Sequence, residues 1–245
     1  MIPQVVVLIC ADAEWRATLR LLPGPHLQST PYGDWFAACL RPDRSIHPID
    51  QNERIPTKGV LAGFMHSGWG KIAAAGATQF AIDNWNPRLL VNLGTCGGLE
   101  GSVTRGEILL VDRTVVYDIL EQMGDQDEHL AHYTCQLDYT WLSQPYPQEV
   151  RRTLLVSGDR DLLPSDIPWL KQRFGAVAGD WETGAIAYVA HRNKSKLLIL
   201  RGVTDLVCTG GGEAYGNLDL FHQATQEIMQ QLLVGIYPWV APALY

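Results

Sequence analysis

Short runs of unbroken apolar residues recur along the chain. VVVLICA occupies 5–11, VLAGFMH 60–66, RLLVNLG 88–94, TLLVSGD 153–159 and KLLILRGV 196–203. A strand with one wet face alternates apolar and polar residues; a strand without alternation must be covered on both faces. Between these runs lie segments of helical spacing: EWRATLRLL after the first, KIAAAGATQFAIDNW at 71–85, the Ala-rich 183–192, and LDLFHQATQEIMQQLLVGIY at 218–237. Strands alternating with helices predict an α/β fold with a mixed, mostly parallel central sheet and helices on both sides. A length of 245 residues, 47% of them hydrophobic, suits one domain spanning 1–245. Residues 23–57 are polar and rich in Pro and are expected to form an excursion with one or two strands. Residues 121–150 are polar, aromatic and irregular. There are no internal repeats or low-complexity linkers.

A net charge of −7, without any cluster of Lys or Arg, argues against a nucleic-acid-binding surface. The partner is expected to be a small molecule or a second copy of the chain. The five cysteines, Cys10, Cys39, Cys96, Cys135 and Cys208, are scattered and never spaced as CxxC, which reads as reduced thiols in a cytoplasmic protein. The start, MIPQVVVLICADAEWR, reads as a first strand rather than a signal peptide. No apolar stretch approaches the roughly 20 residues of a membrane span. His66 and His222 have no ligand-spaced partner, so neither a metal nor a cofactor is expected.

In open α/β sheets ligands gather at the carboxyl ends of the strands. The polar residues standing there are Asp12 and Glu14, Ser67 to Lys71, Thr95 to Gly98, Ser157 to Asp161, and Thr204 with Asp205. Asp180 and Glu182, in GDWETG, stand just before a helix. Each has a bland reading. Glu14 and Glu182 suit the first turn of a helix, where the dipole favours acids, and Asp205 suits an Asx-turn. Together, Glu14, Glu182 and Asp205 are carboxylates far apart in sequence that this topology would bring to one edge. Cleavage of a glycosidic bond uses that equipment: one carboxyl donates a proton, another polarises water, and a third can hold a sugar hydroxyl.

At this point the motifs resemble a known family. LICADAEW, HSGWGKIAAAGAT, LLVNLGTCGGLEGSVTRGEILLVD, LLVSGD, GDWETGAIAYVAH and LLILRGVTDLV, in that order, are similar to segments of the nucleoside phosphorylase/nucleosidase superfamily. Within it the methylthioadenosine/S-adenosylhomocysteine nucleosidases are the nearest in pattern. The resemblance covers the first strand and roughly 60–118 and 153–207; residues 23–57 and 121–150 match poorly. It implies a purine nucleosidase that hydrolyses an adenine nucleoside to free adenine and a ribose derivative, and a homodimer. By position, Glu14 matches the family's water-activating glutamate, Asp205 the acid that protonates N7 of the purine, and Glu182 the ribose-binding glutamate. Thr95, Cys96, Gly97, Asp161, Leu162, Asp180, Trp181 and Thr204 are expected to contact substrate. Arg201 matches an arginine behind the strand that does not itself touch substrate.

The departures leave the nucleoside open. Trp181 stands where the family has methionine beneath the ribose, Asp161 where it has phenylalanine, and the acid at 180 is Asp rather than Glu. Two alternatives remain: a phosphate-dependent purine nucleoside phosphorylase, and a non-catalytic nucleoside-binding protein of the same fold. Related phosphorylases carry an arginine two residues before the first Gly of GTCGG; here that residue is Asn92. Arg16 and Lys71 are the nearby cations that could serve a phosphate instead. A dinucleotide-binding oxidoreductase is set aside because GTCGGLEG lacks the G-x-G-x-x-G spacing in a first βαβ unit.

Overall fold

The computed structural model describes residues 1–22, 24–49 and 59–244. In chain order the elements are β1 (Val5–Ile9), α1 (Asp12–Leu21), β2 (Gln28–Ser29), β3 (Asp34–Leu40), β4 (Ile46–Pro48), β5 (Val60–His66), α2 (Lys71–Trp85), β6 (Leu89–Leu99), β7 (Ile108–Val116) and α3 (Gln126–His132). There follow β8 (Thr134–Gln136), β9 (Arg151–Ser157), α4 (Ile167–Phe174), β10 (Ala178–Asp180), α5 (Thr183–Arg192), β11 (Leu197–Cys208), β12 (Gly211–Gly212), α6 (Leu218–Val234) and α7 (Ile236–Val240).

Among the described residues the strands join in one mixed sheet. Its centre is parallel, as the unbroken apolar runs require: β1 lies between β5 and β6, and β6 continues to β11. All five residues of β1 are fully buried, as are Leu89, Leu90, Val91, Leu198, Ile199 and Leu200. The outer pairings of β2, β3, β4, β8 and β12 are antiparallel. Residues 23–57 thus carry three short strands rather than one or two, added antiparallel to the edge at β5; residues 23 and 50–57 lie outside the described residues. Within 121–150, expected to be irregular, α3 and β8 form beside β7. The closing helix ends earlier than its spacing predicts, at Gly235, and the chain turns into α7. No helix among the described residues is long and apolar enough to cross a membrane.

Successive side chains of a strand point to opposite faces, and β11 uses both. Gly202 faces α6, and a methyl group there would overlap Ile228 of that helix. Arg201, its neighbour, faces the other way and reaches Thr183 at the start of α5. Helices therefore cover both sides of the sheet, with α1 packed on α6 and α2 on α5.

One expectation needs correction. Thr95–Gly98 and Thr204–Asp205 do not stand past strand ends: β6 runs on to Leu99 and β11 to Cys208, paired with each other throughout. Their register shifts between Val203 and Asp205, so that Asp205 comes opposite Gly97. An irregularity of this kind bends a strand and re-aims its side chains; here it turns the Asp205 carboxyl toward the cavity described next.

Candidate active site

Glu14 lies in the first turn of α1 and is almost fully buried. Its Oε1 accepts from the Thr95 N–H at 2.6 Å and the Thr95 hydroxyl at 2.9 Å. Oε2 accepts from the Ala11 N–H at 3.1 Å, which is half of a capping box, so the helix-cap reading holds in part. Arg201 Nη1 stands 3.6 Å from Oε1. Glycine at 94 permits this approach, because a methyl group there would overlap both the guanidinium and the Glu14 carboxylate.

Arg201 is the hub, and its side chain is fully buried. Nη2 stands 2.8 Å from Asp180 Oδ2 and 3.8 Å from Glu182 Oε2, and donates to Asn92 Oδ1 at 2.8 Å. Nε donates to the Thr183 hydroxyl at 3.1 Å. Asp180 is expected to touch substrate. It borders the cavity, yet its carboxylate is turned inward: it accepts from Ser157 Oγ at 2.5 Å, from the Thr183 N–H at 3.2 Å, from the Thr183 hydroxyl, and from Arg201. One guanidinium thus serves three buried carboxylates.

Glu182 opens α5, and its Oε1 accepts from the Gly70 N–H at 3.0 Å. Burial pushes its carboxyl up to about 8, with Asp180 adding to the rise and Arg201 opposing it. On the far side, burial also raises the Asp205 carboxyl above the usual aspartate range, partly offset by the Thr204 hydroxyl, which donates to Asp205 Oδ1 at 2.8 Å. The two carboxyls gain proton affinity mainly by desolvation, which disfavours the anion.

These groups share one cavity of about 520 Å³, within the range of small-molecule sites. Glu14, Glu182 and Asp205 line it, together with Thr95, Cys96, Gly97, Asp161, Leu162, Asp180, Trp181 and Thr204. Trp69 and Arg160, from the segments 67–71 and 157–161, also line it, and so do Tyr215 and Phe221, which the sequence did not single out. Trp69 is 64% exposed, and its ring centroid is 6.0 Å from that of Trp181. Tyr215 donates from its hydroxyl to the Leu162 carbonyl at 2.9 Å, tying the segment after β11 across to the loop after β9. Trp69 lies in the segment past β5 expected to face the site, between Gly68 and Gly70, both at positive φ, just before α2.

Of the two cations considered for a phosphate, Arg16 borders the cavity and Lys71 does not. Lys71 is held by Asp118 and lies 3.8 Å from Asp159. Asn92 also points away: its Nδ2 donates to the Leu8 carbonyl and its Oδ1 is taken by Arg201.

A family model described as the Phosphorylase superfamily matches residues 57–236. A 5'-methylthioadenosine/S-adenosylhomocysteine nucleosidase of Thermotoga maritima is 29% identical over 159 residues, covering 64% of this chain and 68% of that protein. One from Buchnera aphidicola is 27% identical over 150 residues, 57% of this chain, and the match spans 65% of that relative's length. Among solved structures, the nucleosidase of S. pneumoniae with a transition-state inhibitor superposes with a TM-score of 0.69 at 20% identity, covering 94% of this chain and 97% of that one. That of Helicobacter pylori gives 0.73 at 13% identity, covering 98% of each. At these identities the structural likeness establishes the shared fold.

Proposed function

The chain belongs to the phosphorylase superfamily, and from that premise we propose that it is a nucleosidase, hydrolysing the N-glycosidic bond of an adenine nucleoside. The observation that carries this reading is the convergence of Glu14, Glu182 and Asp205 on one cavity. Every Glu14 contact has its oxygens as acceptors, the form a general base needs. Asp205 is desolvated toward its protonated form, as a general acid requires.

In the proposed reaction the adenine N7 faces Asp205. As the C1′–N9 bond breaks, its electron pair passes into the base and N7 takes the Asp205 proton. Glu182 binds the 2′- and 3′-hydroxyls and so holds the ribose in place as the bond breaks. A water held by Glu14 and Thr95 forms the new C1′–O bond and gives its proton to Glu14. Trp181 lies against the ribose, and Leu162 and Asp161 border the base. Positioned acid catalysis of this type contributes about 100- to 10,000-fold.

Water is favoured over phosphate by the same geometry. The nucleophile's place is beside Glu14, where a carboxylate would repel a phosphate anion. Lys71 and Asn92 do not supply the missing positive charge. We take residues 1–245 as one domain acting as a homodimer in the cytoplasm. Exposed Trp69 and Ile72, beside the cavity, support a covering copy. Incubation with methylthioadenosine tests the reading. Adenine released at the same rate with and without phosphate is the expected result; release only with phosphate makes the protein a phosphorylase, and binding without release makes it a sensor.

A further inference from the structure

Glu182 has few fixed partners for a group that must meet two hydroxyls at once. Among the described residues the Gly70 N–H is the one hydrogen-bond donor to its carboxylate, at 3.0 Å, and the Arg201 guanidinium stands off at 3.8 Å. The aim of Glu182 therefore depends on where the turn before α2 puts a single backbone N–H. That turn does not fix itself. Gly68 and Gly70 both stand at positive φ, and Gly70, which opens α2, has no side chain to cap the helix. Glycine leaves a chain free unless something outside the turn pins it.

The pin is Asp159, 88 residues further on, in the loop after β9. Its Oδ1 accepts from the Lys71 N–H at 2.7 Å and so caps α2 in place of Gly70. The approach is close: a methyl group on Gly70 would come 3.2 Å from the same oxygen. Asp118, past the end of β7, closes a ring. Its Oδ2 accepts from the Asp159 N–H at 2.8 Å, its Oδ1 takes the Lys71 ammonium, and Lys71 Nζ is 3.8 Å from Asp159 Oδ2. The residue before Asp159 ties this ring to the strand that leads to Glu182, because the Gly158 N–H donates to the Asp180 carbonyl at 3.0 Å. The turn that holds Glu182 and the strand that carries it thus share one frame. Asp159 itself is exposed and does not border the cavity, so it does not reach a substrate bound there.

We propose that Asp159 is a positioning residue for Glu182, setting the grip on the ribose hydroxyls through the Lys71 and Gly70 N–H groups. The inference rests on the nucleosidase reading above. The bland reading of the same contacts is a helix cap that serves stability alone. The two differ in what a substrate lacking one hydroxyl reports.

The test compares kcat/KM of the wild type, Asp159→Ala and Asp159→Asn on methylthioadenosine and its 2′-deoxy analogue. Any intrinsic difference between the two sugars is common to all variants and cancels. We expect the preference for the ribonucleoside to fall about 10-fold in the alanine variant. Asparagine keeps an oxygen for the Lys71 N–H and should restore most of it. In a Glu182→Gln background the alanine change should leave the preference where Glu182→Gln alone puts it, since both changes act through one group. An equal fall on both nucleosides, or none, makes Asp159 a structural cap and overturns the proposal; so does a further, independent fall beside Glu182→Gln. Should Asp159→Ala fail to fold, Asp159→Ser, too short to reach the Lys71 N–H, takes its place, and an unchanged preference there overturns the proposal. If the wild type cleaves neither nucleoside, the nucleosidase reading falls. The ratio of calorimetric affinities for the two then decides the inference, and a ratio unchanged by Asp159→Ala refutes it.

Discussion

Replacing Arg201 by methionine isolates the electrostatics that hold the site together. Methionine keeps most of the apolar stem and removes the charge. Three buried carboxylates, Glu14, Asp180 and Glu182, then lose the cation that stands 3.6, 2.8 and 3.8 Å away. The Thr183 hydroxyl and Asn92 Oδ1 lose a donor each. Removing one partner of a buried ion pair costs about 3–5 kcal/mol, and three stranded acids place this variant at the upper end. For a chain of this size each kcal/mol moves Tm by about 2–4 °C, so Tm should drop by about 10–20 °C. The deficit must also depend on pH. Without Arg201 the carboxyls bind protons more tightly in the folded state, so lowering the pH neutralises them and recovers stability. Urea unfolding followed by tryptophan fluorescence at ~pH 6 and ~pH 9 should show the larger deficit at the higher pH. Adding Asp180→Asn removes one stranded charge and should return part of the loss. A single variant within about 1 kcal/mol of wild type, or a deficit independent of pH, refutes the argument that one guanidinium compensates this cluster.

Asp205→Asn keeps an oxygen to accept from Thr204 but carries no acidic proton; adenine release should fall about 100- to 10,000-fold, with Tm within a few degrees of wild type. For Glu182 the folded carboxyl is raised from 4.5 to about 8, so its contribution to stability is fully present below 4.5 and is lost as pH rises through about 8. Wild-type stability should therefore decline across that window, and Glu182→Gln should flatten the decline in urea titrations while also slowing turnover. Gly94→Ala drives a methyl group into Arg201 and Glu14; overpacking of this kind costs about 1–3 kcal/mol, and thermal melting together with adenine release should both register it.

The architecture was legible because its signals are local. Continuous apolar runs mark strands covered on both faces, and α2 at 71–85 and α5 at 183–192 fall where their spacing places them. The strand ends were not legible. Thr95–Gly98 and Thr204–Asp205 are polar or glycine-rich and look like turns, yet β6 and β11 pair with each other through them. That pairing joins residues about a hundred positions apart, and nothing in either segment alone declares it. The same limit blurred 28–48, where one or two strands were expected and three form, and hid the short β8 within 121–150, which forms on the edge that β7 provides.

The candidate site divides along the same line. Every residue expected to touch substrate borders the cavity, because strand ends and helix starts are where this topology collects side chains. What each group faces was not readable. Asp180 and Glu182 are two residues apart in GDWETG, yet one is bonded inward to Ser157, Thr183 and Arg201 while the other takes the Gly70 N–H. The intervening Trp181 occupies the cavity wall, and the short β10 before α5 sets the inward direction of Asp180. Asp180 thus secures the arginine on which Glu14 and Glu182 both depend.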